Sequence, residues 1–573
     1  MMSNSRLIAF WILLVFTGSP ALAQSTDPSN VTPKSFAPVQ RHQGGGMTLG
    51  ATEPGNVPDG AEKYTVLIAS SSVEGGLPQL KSRTDAVLAR INGKTVSVET
   101  LYAAATEIEA AYAQAGFVLA RVIIPPQELV DGGVFKLIVL DGFIESVDAS
   151  GVPERVRDVV RDRVASLIGA SGLTIGEIER RLLLAGEVPG LQLASAVMRG
   201  EKIGGAKLVL QADWRPVTAS IGVDNKVGSL YRDAEFPVTV SLNSVFGFGE
   251  TIYASLITGP DVDTVFSGLP SRQIAAAGVI LPVGIDGWTI NPEYARSDTN
   301  PRLGPTAMRS TGVFERWAFR SLYPLIKTRQ TTLTLTGSFE ITDEKQTAPD
   351  FGVTTSLDRL RVFTAGFEGS HSLDWNAIVS GGVLVTQGTD WFGARTAVDA
   401  AASGVPLSRQ GSRPDYTKIE ADLRYEQVLP GDFTGAAILH AQQAISGPMP
   451  AGGQFSLQGD DALSAFDAGT LMADTGISVR GELGRVFSLA DLGLTATASP
   501  YLFGAAGVGK IKAPTAVETS RLTATSFGAG LRFNFNSAVT GLWSFATIEL
   551  GRGNSSIAGN DDTRITASWN IKY

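Results

Sequence analysis

Two rhythms of apolar residues divide the chain. Before Trp214, helical spacing alternates with short extended runs. Residues 64–69 suit a strand. Ser97 then stands where a helix cap belongs, ahead of Leu101, Ala105, Ile108 and Tyr112 at helical spacing, with Gly116 closing the helix. Runs at 117–124 and 134–140, parted by Asp131-Gly132-Gly133, complete a small α+β unit over 64–142. A second unit, 143–213, opens with a strand at 143–147 and a first-turn proline, Pro153. Val156, Val160, Val164 and Ile168 form one helical stripe stopped by Gly169. Thr174 and Glu177 have the spacing of a capping box for another helix, with Ile178 and Leu182 inward. Strands at 193–198 and 206–210 flank a turn at 199–205.

After Trp214 the period becomes two. Leu333, Leu335, Phe339 and Ile341 alternate with Thr334, Thr336, Ser338 and Glu340. Leu531, Phe533 and Phe535 alternate with Arg532, Asn534 and Asn536. Ile565, Ala567, Trp569, Ile571 and Tyr573 alternate with Thr566, Ser568, Asn570 and Lys572. An apolar face and a polar face over about nine residues match a strand between lipid and a wet lumen. Hydrocarbon tolerates no unpaired backbone group, so such strands must close into a barrel. A soluble antiparallel sandwich also alternates. The aromatic residues at 569 and 573 and the small uncharged residues of the polar face favour the barrel. The stretch 214–573 has room for about sixteen strands at roughly ten residues each plus connections. The expected fold class is mainly β: a C-terminal transmembrane antiparallel β-barrel preceded by two small α+β domains.

Composition and targeting agree with export. Leu7 to Phe16 are uninterrupted apolar residues after Arg6, and Ala21-Leu22-Ala23 offers a cleavage site before Gln24, so 1–23 is expected to be a signal peptide. The apolar run is about half of what a membrane-spanning helix needs. With 64 glycines, no cysteine and 18% charged residues, the chain has no disulfide framework and the make-up of an outer-membrane barrel. The net charge of −9 is spread without a basic tract, which speaks against nucleic acid. Residues 24–63, rich in proline and glycine and poor in apolar periodicity, are expected to be a flexible lead-in with no convincing helical stripe.

Four groups of residues carry a resemblance over about 64–573. The first is Gly116-Phe117, Ala120-Arg121-Val122, Pro125, Gly133 and Leu140-Asp141-Gly142. The second is Leu182-Leu183-Leu184, Val188-Pro189-Gly190, Arg199-Gly200 and Gly204-Gly205. The third is Asp224-Asn225, Asn243 and Gly247-Phe248-Gly249-Glu250. The fourth is Ala441-Gln442, Pro448 and Phe455-Ser456-Leu457. In this order they resemble the two-partner secretion transporters, the haemolysin secretion/activation proteins of the ShlB/FhaC/HecB type, whose α+β units are POTRA domains. The resemblance implies an outer-membrane location with POTRA domains at 64–142 and 143–213 in the periplasm. It also implies secretion of an extended exoprotein through the barrel.

The family's characteristic loop folds back into the barrel with a Val-Arg-Gly-Tyr/Phe tip. Val479-Arg480-Gly481-Glu482 matches superficially. However, Gly459, Gly469, Asp474, Gly476, Glu482 and Leu483 fit the family's frame and place the tip at Leu463-Ser464-Ala465-Phe466, with Arg480 on the next strand. Ser464 and Ala465 then replace the family's arginine and glycine. The resemblance pairs that arginine with the aspartate of a strand motif Phe-x-Asp-x-Gly, which corresponds here to Phe503, Ala505 and Gly507, with Ala505 in the acid's place. Joint loss is physically coherent, because removing one member alone leaves a buried charge at a cost of about 3–5 kcal/mol.

Catalytic chemistry is not visible. His42, His371 and His440 are scattered and have no cysteine partners, so no metal site is expected. Gly504 to Lys510 spells a phosphate loop only formally, because Ile511 stands where Ser or Thr would bind magnesium. No cofactor and no enzyme activity are expected. Glu340, Arg532 and Lys572 are lumenal charges without an assigned role. Expected partners are the exoprotein and outer-membrane lipid, with periplasmic chaperones admitted. A barrel-assembly factor and a passive pore are the alternative functions.

Overall fold

The computed structural model describes residues 27–38, 47–49, 57–231, 234–260, 270–303, 308–516, 518–536, 542–557 and 562–573. The expected signal peptide lies outside the described residues. The described chain begins with a one-turn helix, α1 (Pro28–Val31), and a short strand, β1 (Met47–Leu49).

The first α+β unit comprises β2 (Thr65–Gly75), α2 (Lys81–Leu88), β3 (Lys94–Ser97), α3 (Val98–Gln114), β4 (Arg121–Ile123) and β5 (Gly133–Leu140). Its sheet runs in the order β3-β2-β5-β4. The Ser97 hydroxyl caps α3 by accepting from the Thr100 N–H at 3.2 Å. Leu101, Ala105, Ile108 and Tyr112 bury their side chains with Phe135 and Leu137 of β5. Each large apolar side chain so buried contributes about 1.5–3 kcal/mol before chain entropy is counted. The run 117–124 is shorter as a strand than its pattern suggests. Residues 117–120 form a turn, Ala120 N–H donating to the Phe117 carbonyl at 3.1 Å, and only Arg121–Ile123 pair.

The second unit comprises β6 (Phe143–Gly151), α4 (Glu154–Val164), α5 (Ile175–Gly186), β7 (Leu191–Arg199) and β8 (Gly205–Trp214). Val156, Val160 and Val164 are fully buried, but Ile168 is 48% exposed. The helix tightens into a 3-10 turn at Ala165–Leu167, which brings Leu167 inward in its place. The Thr174–Glu177 capping box is present in both directions. The sheet order is β1-β7-β8-β6. Its outer strand β1 therefore comes from the amino-terminal segment and runs parallel to β7, with Met47 opposite Ser195 and Leu49 opposite Val197.

Sixteen long strands then close an antiparallel barrel. They are β9 (Val217–Asp224), β10 (Phe236–Asn243), β11 (Thr251–Thr258), β12 (Arg272–Val283), β13 (Trp288–Thr299), β14 (Thr311–Lys327), β15 (Thr331–Ala348), β16 (Val353–Leu373), β17 (Ala377–Thr389), β18 (Thr417–Leu429), β19 (Phe433–Ala444), β22 (Thr475–Arg485), β24 (Ala496–Lys510), β25 (Arg521–Asn536), β26 (Trp543–Ser555) and β27 (Asp562–Lys572). Short elements sit between them: α6 (Ala397–Ser403), the pair β20 (Phe455–Ser456) and β21 (Met472–Ala473), and β23 (Phe487–Ser488). The seam joins β27 to β9. Alternation sorts the two faces. On β22, Ile477, Val479 and Leu483 face outward, while Ser478, Arg480 and Glu482 are buried inside. Trp317, Phe319, Phe367, Leu502, Phe527 and Trp569 add to the exposed outer apolar surface.

The second unit is fastened to the near end of the barrel through α5. Arg181 pairs with Asp286 at 2.8 Å, Glu179 with Arg329 at 3.0 Å, and Glu187 with Lys327. Arg180 also donates to the Pro324 carbonyl at 2.9 Å. Beneath α5, the buried Arg163 guanidinium donates to the Leu184 carbonyl, and burial lowers its pKa from the ordinary arginine value.

Candidate functional site

The connection between β19 and β22, residues 445–474, folds into the barrel. Asp474, fully buried, ties both of its ends to the far rim. Its carboxylate accepts from the Met449 N–H at 2.9 Å, the Lys512 N–H at 2.7 Å and Arg409 at 2.7 Å. Inside, Phe455, Leu457, Leu463, Phe466 and Leu471 pack with Ile511, Leu522 and Ala524 as an apolar plug.

The expected tip is the part that touches the wall. Leu463, Ser464, Ala465 and Phe466 are all buried. The Ser464 hydroxyl donates to Glu549 of β26, and the Ala465 N–H donates to the Ser526 hydroxyl at 3.3 Å. Gly553 makes room for the Phe466 ring, since a Cβ there would come within 2.6 Å of it. The three strand-motif residues face the loop. Ala505 packs against the apolar plug, as its small uncharged side chain permits. A Cβ on Gly507 would press on Leu457 at 2.7 Å and on Leu463 at 3.0 Å. The Phe503 ring lies 3.9 Å from the Arg480 guanidinium.

Arg480 is the residue that sequence reasoning left aside. It belongs to β22, as the frame requires, yet its guanidinium occupies the tip site. It donates to Glu482 at 2.8 Å, Glu549 at 2.6 Å, the Ser464 hydroxyl at 2.8 Å and the Ala462 carbonyl at 3.3 Å. Tyr501 donates to Glu549 at 2.8 Å, and Arg532 pairs with Glu482 at 2.8 Å while lying over the Tyr501 ring. Two arginines and two glutamates thus neutralise one another on the wall. The sequence signal was the inward phase of β22, which places Arg480 and Glu482 two apart on the lumenal face. Arg532 and Glu340, unassigned from sequence, pair with Glu482 and Arg320 respectively. Lys572 lies over the Trp543 ring.

A second occupant shares the lumen. Residues 27–38, read from sequence as part of a free lead-in, are held along the inner wall. Gln346 donates to Asp27 at 3.1 Å, and the Ser29 N–H donates to Glu344 at 3.1 Å. Arg272 donates to the Val31 carbonyl. Lys34 pairs with Glu420 at 2.9 Å, and the Phe36 N–H donates to Glu293 at 2.9 Å. Phe36 packs on Tyr253 and Ile274. The segment holds one helical turn and is otherwise irregular.

Residues 204–533 match the family described as haemolysin secretion/activation protein ShlB/FhaC/HecB, and residues 71–142 match the ShlB-type POTRA domain. The chain belongs to this family. The heme/hemopexin transporter protein HuxB of Haemophilus influenzae is 23% identical over 410 residues, covering 69% of this chain and 68% of that protein. CdiB from Escherichia coli shares the fold with a TM-score of 0.71 at 19% identity, over 95% of this chain and 94% of that one. CdiB from Acinetobacter baumannii shares it with a TM-score of 0.59 at 15% identity, over 96% and 95%.

Membership gives the structure its orientation. This is an outer-membrane transporter that secretes an exoprotein, with its POTRA domains in the periplasm. The turns that receive α5 are therefore periplasmic, and the rim that holds Asp474 is extracellular. The lumenal arginine that meets the loop, Arg480, is carried by the wall.

Proposed function

We propose that the chain captures its exoprotein as an extended segment on the POTRA domains, at 64–142 and 143–213, and passes it through the barrel at 214–573 once the loop and residues 27–38 withdraw. The observation that carries this reading is β1. The β7 edge of the second domain takes an extended segment of the chain's own through backbone pairing over Met47 to Leu49. Such pairing asks for little sequence, as capture of an unfolded cargo requires. In this reading Leu463, Ser464, Ala465 and Phe466 form the stopper, and Phe503, Ala505 and Gly507 form its seat. Outer-membrane lipid covers the apolar outer face, and periplasmic chaperones deliver the cargo. No covalent chemistry is assigned. Folding of the exported cargo outside supplies the direction.

The test is export of the cognate exoprotein by a chain lacking residues 64–213. Loss of surface cargo with an intact, heat-modifiable barrel is the expected result. Undiminished export overturns the reading. A passive pore is the weaker alternative, because two segments of the chain lie across the lumen.

A further inference from the structure

The two pairings of β9, with β10 and across the seam with β27, are the shortest among the sixteen long strands. β27 and β9 pair over five residues, from Lys572 opposite Ser220 to Ser568 opposite Asp224, where β19 and β22 pair over ten. β9 ends at Asp224, and beyond a last backbone bond from the Asn225 N–H to the Ala567 carbonyl at 3.2 Å the described residues give the extracellular half of β27 no ladder on that side. Side chains stand in for it. Asn225 imitates a paired backbone, its amide donating to the Ile565 carbonyl at 2.8 Å while its oxygen accepts from the Ala567 N–H at 2.8 Å.

Arg564 completes the substitute and reaches further. From β27 it donates to the carbonyls of Asn225 at 2.9 Å and Lys226 at 2.8 Å. It also donates to the carbonyl of Phe466 at 2.7 Å and pairs with Asp467 at 3.1 Å, both on the loop. One guanidinium therefore holds the seam and the stopper together. Asp467 is seated against Gly228, where a Cβ would meet its carboxyl carbon at 2.4 Å, so the segment after β9 is moulded around the loop.

We propose that Arg564 is a positioning residue that couples the lumenal loop to the seam, so that the extracellular half of the β9–β27 closure is fastened only while the loop lies inside. When the loop withdraws, it takes Asp467 and the Phe466 carbonyl with it. Arg564 keeps only neutral carbonyl acceptors, and charge-assisted bonds are the stronger ones. The seam then loosens where β9 has already ended, which widens the passage during transport. The inference rests on the transporter reading, but its test measures the resting protein without cargo, so the two fail separately.

Hydrogen exchange of the purified barrel in detergent reads the coupling. Asp467→Asn alters the loop alone and leaves every residue of β9 and β27 unchanged. It is expected to speed exchange at residues 564–567 by about tenfold while β24 and β25 stay protected. Arg564→Gln should do the same. A loop fixed in place tests the direction of cause. The Ala465 Cβ lies 3.3 Å from the Cβ position of Gly551, close to disulfide spacing, and the native chain has no cysteine. Oxidised A465C/G551C in the Asp467→Asn background should restore slow exchange, and reduction should remove it again. Unchanged seam exchange in both single variants, or acceleration that the disulfide leaves intact, overturns the proposal. Heat-modifiable migration of each variant separates a loosened seam from a misfolded barrel.

Discussion

Replacing Arg480 with methionine separates a residue that holds the loop from one that holds the barrel. Of its four hydrogen bonds, two end on the wall, at Glu482 and Glu549, and two end on the loop, at Ser464 and Ala462. Only the loop pair differs between the closed and withdrawn states. A hydrogen bond to a charged group is worth about 1.5–3 kcal/mol, and the 3.3 Å contact to Ala462 lies at the weak end. Together they hold the loop by about 3 kcal/mol, a factor on the order of a hundred in the ratio of docked to withdrawn loop. The wall bonds carry a separate cost. Removing one partner of a buried network costs about 3–5 kcal/mol, and here it is eased because Glu482 keeps Arg532 and Glu549 keeps Tyr501. That cost falls on both loop states and shows up only as a lower melting temperature.

The assay is maleimide labelling of a single cysteine at position 465, which is 1% exposed with the loop docked. R480M should raise the labelling rate by about a hundredfold, and S464A, which removes the hydroxyl's bonds to both Arg480 and Glu549, by a similar factor. Gel mobility before and after heating checks the barrel. If R480M lowers the melting temperature while the labelling rate stays within about twofold of the parent, Arg480 serves the wall alone and the reasoning is wrong.

Three further outcomes follow from particular contacts. Gly553→Val puts carbon where the Phe466 ring sits, so it should expel the tip at an overpacking cost of about 1–3 kcal/mol, seen as faster labelling at 465 with β26 still protected from exchange. At the periplasmic junction the pairs Arg181–Asp286 and Arg329–Glu179 are half-exposed and worth at most about 1 kcal/mol each, so D286N alone should leave protease sensitivity unchanged. D286N with E179Q should raise cleavage between the second POTRA domain and the barrel at low salt, and the difference should vanish at high salt. In the second POTRA domain, Lys207 at 2.8 Å and the hydroxyl and N–H of Ser150 hold the Asp148 carboxyl well below the usual carboxylate range. A depressed pKa gives stability that is complete above the unfolded value near 3.9 and is lost as pH falls toward the folded value. The parent chain and D148N should therefore differ in denaturant midpoint for that domain at pH 7 and converge as the pH drops below about 3.

Much of this was legible in the chain because the signals are local. The capping box at Thr174 needs four consecutive residues. The alternation along β15 needs only the period of a strand. The inward phase of Arg480 and Glu482 on β22 likewise needs only the alternation of that strand. What was not legible depends on partners far along the chain. Ser464 meets Glu549 at a separation of 85 residues, and nothing near either one announces the other. Ile168 was misjudged because a helix that tightens into a 3-10 turn shifts its inward face, and no residue marks the change. Residues 27–38 looked free for a different reason. Several of their anchors are backbone groups, such as the N–H of Ser29 and Phe36, which the barrel's Glu344 and Glu293 receive. A backbone donor leaves no trace in composition, so a segment ordered through it has the sequence of a linker.

Where the arginine resides decides what opening the barrel requires. An arginine on the loop must be carried out of the lumen, leaving a buried acid behind it, and that separation is expensive in a poorly solvated space. Here Ala505 and Ser464 carry no charge, and the charges Arg480, Glu482, Glu549 and Arg532 stay together on the wall. Withdrawal of the tip then breaks neutral-to-charged hydrogen bonds and exposes the apolar side chains of Leu463 and Phe466, while the wall network remains compensated. The charges that do leave are Asp460, Asp461 and Asp467, which pair with Lys226, Arg424 and Arg564. The loop is thus released against the burial of its apolar side chains and against ion pairs that are at least partly exposed at Asp460 and Asp461, while the more enclosed Asp467–Arg564 pair lies where the seam begins.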